Sequence, residues 1–174
     1  MVENYSITKL PNYQIANYSI TQSRMKIEGN QHISAPPPRV FAALVDPAVL
    51  QKCIPGCERL EKTEENKYRA KLSAGVGPIR GVFTATVSLE NIKAPEHYKL
   101  VVEGKGQPGF VKGTGELNLR ETEGGTSIQY TGEVNVGGLL ASVGQRMIQS
   151  AANMLAGKFF ACLEGETLES PKSP

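Results

Sequence analysis

The sequence predicts an α+β fold in which a curved antiparallel sheet of about seven strands wraps around one long C-terminal helix. Between residues 67 and 136, apolar and polar residues alternate in successive runs that turns separate. Such alternation is typical of antiparallel strands with one solvated face. After residue 138 the apolar period changes to three or four residues, which predicts a helix. With 174 residues, 40% of them hydrophobic and 21% charged, the chain has material for one core.

Composition divides the chain into three segments. We expect residues 1–24 to form an N-terminal extension that is loosely ordered or lies on the surface as a strand. This segment holds half of the six tyrosines and a duplicated Asn-Tyr-Ser-Ile-Thr sequence. Met25 is an alternative translation start. Residues 25–168 form the predicted domain, and residues 169–174 (ESPKSP) are a polar tail that we expect to be disordered.

The domain is predicted to begin with a strand and two short helices. Residues 25–34 alternate moderately and precede three prolines, which suit the first turn of a helix because no backbone N–H is missed there. The apolar face of that helix consists of Val40, Phe41, Leu44 and Val45. Asp46 and Pro47 predict the N-cap and first turn of a second helix, which ends near Lys52.

Glycines recur on the predicted inner face of the sheet. They are Gly81, Gly104, Gly106, Gly113, Gly115 and Gly132. For any single one of them, strand curvature is an equally good explanation, because a strongly bent sheet needs glycines and bulges. Taken as a set, they remove side-chain volume from the core side. We therefore expect an internal apolar cavity with few polar groups.

The C-terminal helix is predicted to be continuous over roughly 25–30 residues. Its apolar positions are Leu140, Val143, Met147, Ala151, Met154 or Leu155, and Phe159. Gly144 and Gly157 fall inside this helix, where each costs about 1 kcal/mol relative to alanine. A kink or close packing at these two positions would explain them.

Charge and residue counts exclude several function classes. The net charge is +2, from 19 Lys and Arg against 17 Asp and Glu, which gives no basic surface for a nucleic acid. With 2 His and with Asp46 as the single Asp, metal clusters and His-dependent triads have almost no residues to use. We interpret His32 and His97 as surface residues. No metal and no cofactor are expected.

The three cysteines do not predict a disulfide framework, which needs an even and dense set. We interpret Cys162 as a small buried apolar residue. Cys53 and Cys57 enclose Ile-Pro-Gly and lack further ligands at zinc-binding spacing, so a reversible disulfide between these two is the remaining alternative. A reducing, intracellular setting is the default expectation.

Five motifs resemble the family of the carbon monoxide dehydrogenase G subunit. They are CIPGCE at residues 53–58, GVGPIRG at 75–81, EGKG at 103–106, GFVKG at 109–113 and VGGLLASVGQR at 136–146. The resemblance covers residues 25–168 in order and spacing. It implies a START-like, SRPBCC helix-grip fold (β-α-α-β6-α) with an internal apolar cavity.

The same resemblance implies a non-catalytic accessory role beside a molybdenum-containing dehydrogenase. The expected partner in the cavity is an apolar small molecule, quinone-like or lipid-like. We expect a cytoplasmic protein whose association with the inner face of the membrane is at most peripheral, since the tail after residue 168 is short and polar.

The candidate ligand-binding residues combine inner-face strand positions with helix positions. They are Phe83, Leu100, Val102, Gly113, Gly115, Leu117, Tyr130, Val143, Met147 and Ala151. Candidates for a partner contact or the cavity mouth are Gly137, Gly138, Gln145 and Arg146. The Tyr130 hydroxyl could meet a ligand carbonyl, and Arg146 could meet a ligand oxygen or a partner carboxylate.

The sequence leaves two alternative functions open. One is a module that binds protein and no ligand, with residues 137–146 and 54–58 at the contact. The other is a cyclase-like or hydrolase-like enzyme on the same fold, for which Tyr130 and Arg146 are the residues available. No nucleophile and base are paired in the sequence, so catalysis is disfavoured.

Overall fold

The computed structural model describes residues 22–169, and the predictions for residues 1–21 and 170–174 lie outside this range. The strands are β1 (Gln22–Ile33), β2 (Cys57–Glu64), β3 (Lys67–Val76), β4 (Ile79–Lys93), β5 (His97–Gly106), β6 (Gly109–Thr122) and β7 (Gly125–Gly137). The helices are α1 (Pro37–Val45), α2 (Pro47–Cys53) and α3 (Gln145–Glu169), and a 3₁₀ helix spans Gly138–Val143. β1 thus begins three residues before the predicted domain start.

All seven strands form one antiparallel sheet in the order β1-β7-β6-β5-β4-β3-β2. The predicted α+β fold is confirmed: a seven-stranded antiparallel sheet, two short helices after the first strand, and a long C-terminal helix. β2 was not recognised by alternation. It is an edge strand on which only Leu60 is buried, so it has no period of two to detect.

The two short helices begin as the sequence predicts. Pro37 occupies the first turn of α1, and the side chain of Asp46 caps α2 by accepting a hydrogen bond from the Ala48 N–H at 2.9 Å. The inner face of α1 buries Val40, Phe41 and Leu44. These side chains join the main core between the sheet and the C-terminal half of α3.

The core consists of two clusters along the groove of the sheet. The larger cluster is centred on Ile33, Val40, Ile128 and Leu163, each at most 1% exposed. The smaller cluster lies under the 3₁₀ helix and the start of α3, and its members are Met25, Phe83, Val136, Leu140, Ala141 and Ile148. α3 therefore lies across the groove and touches both clusters.

The prediction of one continuous C-terminal helix is wrong at Gly144. This residue ends the 3₁₀ helix with a φ of +96°, a conformation that favours glycine, and α3 begins one residue later. Close packing does not explain Gly157, because a Cβ added there would meet no atom within 4 Å. The apolar positions before and after Gly144 therefore do not belong to one continuous helical period.

The interpretation of the cysteines is also wrong. Cys53 at the end of α2 and Cys162 in α3 form a disulfide with a Cα–Cα distance of 5.3 Å across 109 residues. Cys57 is the free thiol. The pairing depends on α3 crossing the groove beside α2, which residue spacing does not reveal.

Candidate functional site

An apolar cavity of about 450 Å³ lies between the inner face of the sheet, α2 and α3. Its lining residues are Ile27, Leu44, Leu50, Ile54, Pro55, Leu60, Tyr68, Leu72, Ala74, Val87, Leu89, Tyr98, Leu100, Val102, Leu117, Tyr130, Ala152, Leu155, Ala156, Phe159 and Phe160. No charged side chain is among them. The predicted internal apolar cavity is therefore present.

Strand and helix periodicity explain why these side chains converge. Leu100 and Val102 of β5 are two positions apart, so they share the inner face of the sheet. From α3, Ala152, Leu155 and Phe159 follow at spacings of three and four, which places them on one helical face. The inner face of the sheet and one face of α3 thus form opposite walls.

The cavity has a buried end and an open end. Tyr98, Leu117 and Leu89 are all at most 9% exposed and form the buried end. Leu155 is 38% exposed and marks the contact with solvent. A ligand could enter past α3 and extend towards β5 and β6.

Three tyrosines are the polar side chains of the cavity wall. The Tyr68 hydroxyl donates a hydrogen bond to the Val45 carbonyl oxygen at 2.7 Å, at the end of α1. Burial, with a contribution from the charge of Asp46, raises the pKa of Tyr68. Burial also raises the pKa of Tyr98, and the neighbouring Tyr68 adds to that shift. Both phenols are therefore protonated at neutral pH.

The third tyrosine is held by packing. The Tyr130 ring stacks on Phe160 with centroids 5.3 Å apart, and its hydroxyl lies where a side chain at Gly29 would otherwise stand. Gly29 pairs with Tyr130 across β1 and β7, so the glycine makes room for the phenol. The Tyr130 ring is thus a wall of the cavity between β7 and α3.

Four predicted ligand-binding residues line the cavity: Leu100, Val102, Leu117 and Tyr130. Phe83 belongs instead to the smaller core cluster, and Val143 packs against that cluster. Met147 is 44% exposed and lies against Gly77. Ala151 is one position away from Ala152, which lines the cavity. Extrapolating the helical phase through Gly144 accounts for the misplaced helix residues.

The predicted glycines Gly113 and Gly115 do not line the cavity. A Cβ at Gly113 would stand 2.8 Å from the Glu133 carbonyl oxygen, and one at Gly115 would stand 3.2 Å from that of Thr131. The same holds for Gly132, whose Cβ would be 2.9 Å from the Thr114 carbonyl oxygen. These glycines allow backbones to approach closely in a curved sheet, so strand curvature explains them better than missing core volume does.

The four candidates for a partner contact or cavity mouth lie away from the cavity. Gly137 is buried against the Phe110 ring, and Gly138 has a φ of +76° at the start of the 3₁₀ helix. The Gln145 side chain donates a hydrogen bond to the Arg24 carbonyl oxygen at 3.1 Å. Gln145 and Arg146 border a shallow depression on the polar side of α3. Arg146 and Tyr130 are therefore not brought to one site.

A larger groove of about 1000 Å³ lies at the end of the sheet, beside the prolines that begin α1. Two pairs of its polar side chains are hydrogen-bonded to each other. The Ser127 hydroxyl donates to Asn30 at 2.9 Å, and His97 Nδ1 donates to the Asn118 side-chain oxygen at 2.8 Å. The smaller cavity is the better candidate for a ligand site because its walls are apolar, as the walls of small-molecule sites mostly are.

Two further findings limit the chemistry of residues 22–169. Within this range, no three His, Cys, Asp or Glu side chains come together as a metal site would require. The helices of the same range also lack one that is long and apolar enough to cross a bilayer.

Comparison with known proteins identifies a matching family and similar solved structures. The family model described as the G subunit of carbon monoxide dehydrogenase (CoxG) matches residues 29–167. A conserved protein from Geobacillus kaustophilus is 37% identical with a TM-score of 0.81, over 84% of this chain and 97% of that one. No curated protein sequence matches the chain.

More distant solved structures share the fold alone. A protein from Rhizobium leguminosarum has a TM-score of 0.65 at 15% identity, over 84% of this chain and 96% of that one. The ZhuI aromatase/cyclase from Streptomyces sp. R1128 has a TM-score of 0.63 at 12% identity, over 87% and 98%. These neighbours confirm the helix-grip architecture.

Proposed function

Because the chain belongs to the CoxG family of carbon monoxide dehydrogenase proteins, we propose that it is a non-catalytic accessory protein that carries an apolar ligand for a molybdenum-containing dehydrogenase. The ligand is quinone-like or lipid-like and occupies the cavity under α3. One observation carries this proposal: a cavity of about 450 Å³ whose lining side chains are uncharged. Its volume lies in the range of small-molecule sites, roughly 300–1000 Å³.

The energetics of the cavity favour occupation by an apolar molecule. An apolar void costs stability because its lining atoms lack contact partners. An apolar ligand restores these contacts and removes its own surface from water, at roughly 25 cal/mol per Å². Charged solutes gain little here, since the lining side chains carry no charge that could pair with them.

An enzymatic role on this fold is the weaker alternative. The aromatase/cyclase neighbour shares architecture at 12% identity, and one architecture supports many functions. The residues that such a role would use are separated, because Tyr130 lines the cavity while Arg146 borders the polar depression outside it. Phenols alone, with raised pKa values, are poor general bases near neutral pH.

For the dehydrogenase contact we propose two surfaces, of which the second adjoins the ligand cavity. The 3₁₀ helix exposes 59% of Leu139, an apolar side chain that a partner could cover. The loop before β2 contributes Ile54 and Pro55, which are half-buried and also line the cavity. The place of action, cytoplasmic with at most peripheral membrane contact, stays a prediction.

The ligand half of the proposal is tested with the neutral fluorescent probe N-phenyl-1-naphthylamine. We expect saturable binding by the full chain and an affinity at least about tenfold lower in Ala156→Phe, whose new ring fills the cavity. Met154→Phe is the matched control, because Met154 is 54% exposed on the same helix. Equal binding by both variants would place the probe elsewhere and contradict the proposal.

The partner half is tested by co-purification from the native organism. We expect a molybdenum-containing dehydrogenase to accompany the wild-type chain and to be lost with Leu139→Glu, while probe binding is retained. If no such enzyme accompanies the wild-type chain, the accessory role is wrong even where the cavity binds ligand.

A further inference from the structure

The Tyr98 hydroxyl belongs to a buried side chain and has no partner among residues 22–169, although the fully enclosed side-chain atom without a partner in that range is Thr122 Oγ1. Tyr98 is 4% exposed and lines the cavity. Among residues 22–169 its hydroxyl makes no hydrogen bond. A buried tyrosine hydroxyl usually finds a partner, because an unpaired hydroxyl costs free energy. Tyr98 thus differs from Tyr68, which satisfies the Val45 carbonyl oxygen.

The Tyr98 ring is fixed in place. It meets the Phe41 ring edge to face, with centroids 5.7 Å apart and an interplanar angle of 75°. The backbone of Tyr98 is paired with Leu117 in the middle of the sheet. Tyr98 therefore lines the cavity from a rigid support.

We propose that the Tyr98 hydroxyl donates a hydrogen bond to a neutral oxygen of the cavity ligand, such as a ketone, quinone or ester carbonyl. This inference rests on the proposed ligand-binding function and assigns the polar end of that ligand. The carbonyl lies at the buried end of the cavity, and the apolar remainder extends towards Leu155 at the open end.

The charges around Tyr98 exclude an anionic head group. Among residues 22–169, no lysine, arginine or histidine lines the cavity, so a carboxylate would lose its hydration without gaining a counter-ion from them. The carboxylate of Asp46 acts on Tyr68 and adds negative potential at this end. A phenol with a raised pKa remains a donor at neutral pH, which suits a carbonyl acceptor.

The experiment compares three probes with chains of equal length: 2-undecanone, undecane and undecanoate at pH 8. Each competes with N-phenyl-1-naphthylamine for the wild-type chain, Tyr98→Phe and the control Met154→Phe. In Tyr98→Phe we expect the ketone affinity to fall about 3–10-fold, the worth of one hydrogen bond, and the undecane affinity to stay within about twofold. Met154→Phe, at an exposed position of α3 outside the cavity wall, should leave both unchanged. Undecanoate should bind at least about tenfold more weakly than the ketone.

The outcomes separate this inference from the proposed function. If neither the fluorescent probe nor undecane binds, the proposed function fails. If ketone and undecane lose affinity by the same factor in Tyr98→Phe, or undecanoate binds as tightly as the ketone, only this inference fails. Should Tyr98→Phe not fold, the infrared carbonyl band of bound 2-undecanone decides. A band at the lower frequency of a hydrogen-bonded ketone supports the inference, and one at the frequency found in alkane solvent overturns it.

Discussion

The two halves of α3 are attached to the rest of the protein in different ways. In the C-terminal half, Cys162 is bonded to Cys53, and Leu163 and Thr167 are fully buried. In the N-terminal half, Met147 and Met154 are about half exposed, and Leu155, at 38%, borders the cavity opening. One half of the helix is an anchor, and the other half is a thinly covered wall of the cavity.

Two polar contacts strengthen the anchored half. The Glu164 carboxylate accepts a hydrogen bond from the Ser34 N–H at 2.8 Å, where β1 leads into α1. The Lys52 ammonium and the Glu166 carboxylate are 2.5 Å apart. This difference shows how the fold keeps a void without collapse: it fixes the C-terminal half of α3 and packs Ile148 on the smaller core cluster, so the helix between them can stand over the cavity at Leu155.

Loss of the disulfide should have the largest effect on stability. The Cys53–Cys162 bond closes a loop across 109 residues, and loop-closure entropy predicts a cost of about 5 kcal/mol in the unfolding free energy when it is removed. We expect this loss in the variant Cys53→Ala/Cys162→Ala, measured by urea denaturation.

Reductant provides the control for that measurement. It should lower the denaturation midpoint of the wild-type chain and leave that of the double variant unchanged. Thiol titration of the unreduced, denatured wild-type chain should find one free thiol, Cys57. Three titratable thiols before reduction would show that the anchor depends on packing alone.

A matched pair of substitutions in the two halves should give the next largest effect. Leu163→Ala leaves a void at a position that is 0% exposed, for which we expect a loss of about 3 kcal/mol. Met154→Ala, at 54% exposure, should change the unfolding free energy by less than about 0.5 kcal/mol. Equal losses in denaturation experiments would contradict the distinction between anchor and wall.

The strands were predictable because their faces are set by local alternation. Tyr68, Phe83 and Ile128 all lie on the inner face where the period of two places them. Asp46 before a proline identified the start of α2 by local chemistry alone. In contrast, β2 has one buried residue, Leu60, and no alternating pattern could reveal it.

The candidate site was predictable only in part because it depends on relative placement. The helix face that lines the cavity contains Leu155 and Phe159, as the period predicts, but Ala152 in place of Ala151. The alternation of β5 predicts that Tyr98 lies on the inner face of the sheet. No local pattern, however, predicts that Tyr68 and not Tyr98 donates a hydrogen bond to the Val45 carbonyl oxygen. Long-range pairs such as Cys53 and Cys162 carry no local signal.

The smallest expected effect is a change in the reactivity of Cys57, which lies four residues after Cys53 and packs against the main core cluster. Burial raises the pKa of the Cys57 thiol and the charge of Glu58 adds to that shift, while a backbone hydrogen bond at Arg59 opposes it. Since a raised pKa favours the protonated thiol, stability from this group is present at neutral pH and declines as pH rises through the folded-state pKa.

Iodoacetamide alkylation, which requires the thiolate, measures this pKa directly. In the wild-type chain the rate should reach half its maximum at a higher pH than in an unfolded chain. In Cys53→Ala/Cys162→Ala, loss of the anchor beside β2 should expose Cys57 and move that midpoint towards the ordinary value. An unchanged midpoint would mean that the anchored half keeps its packing without the disulfide, so that Leu163 and its neighbours hold α3 against α2 by themselves.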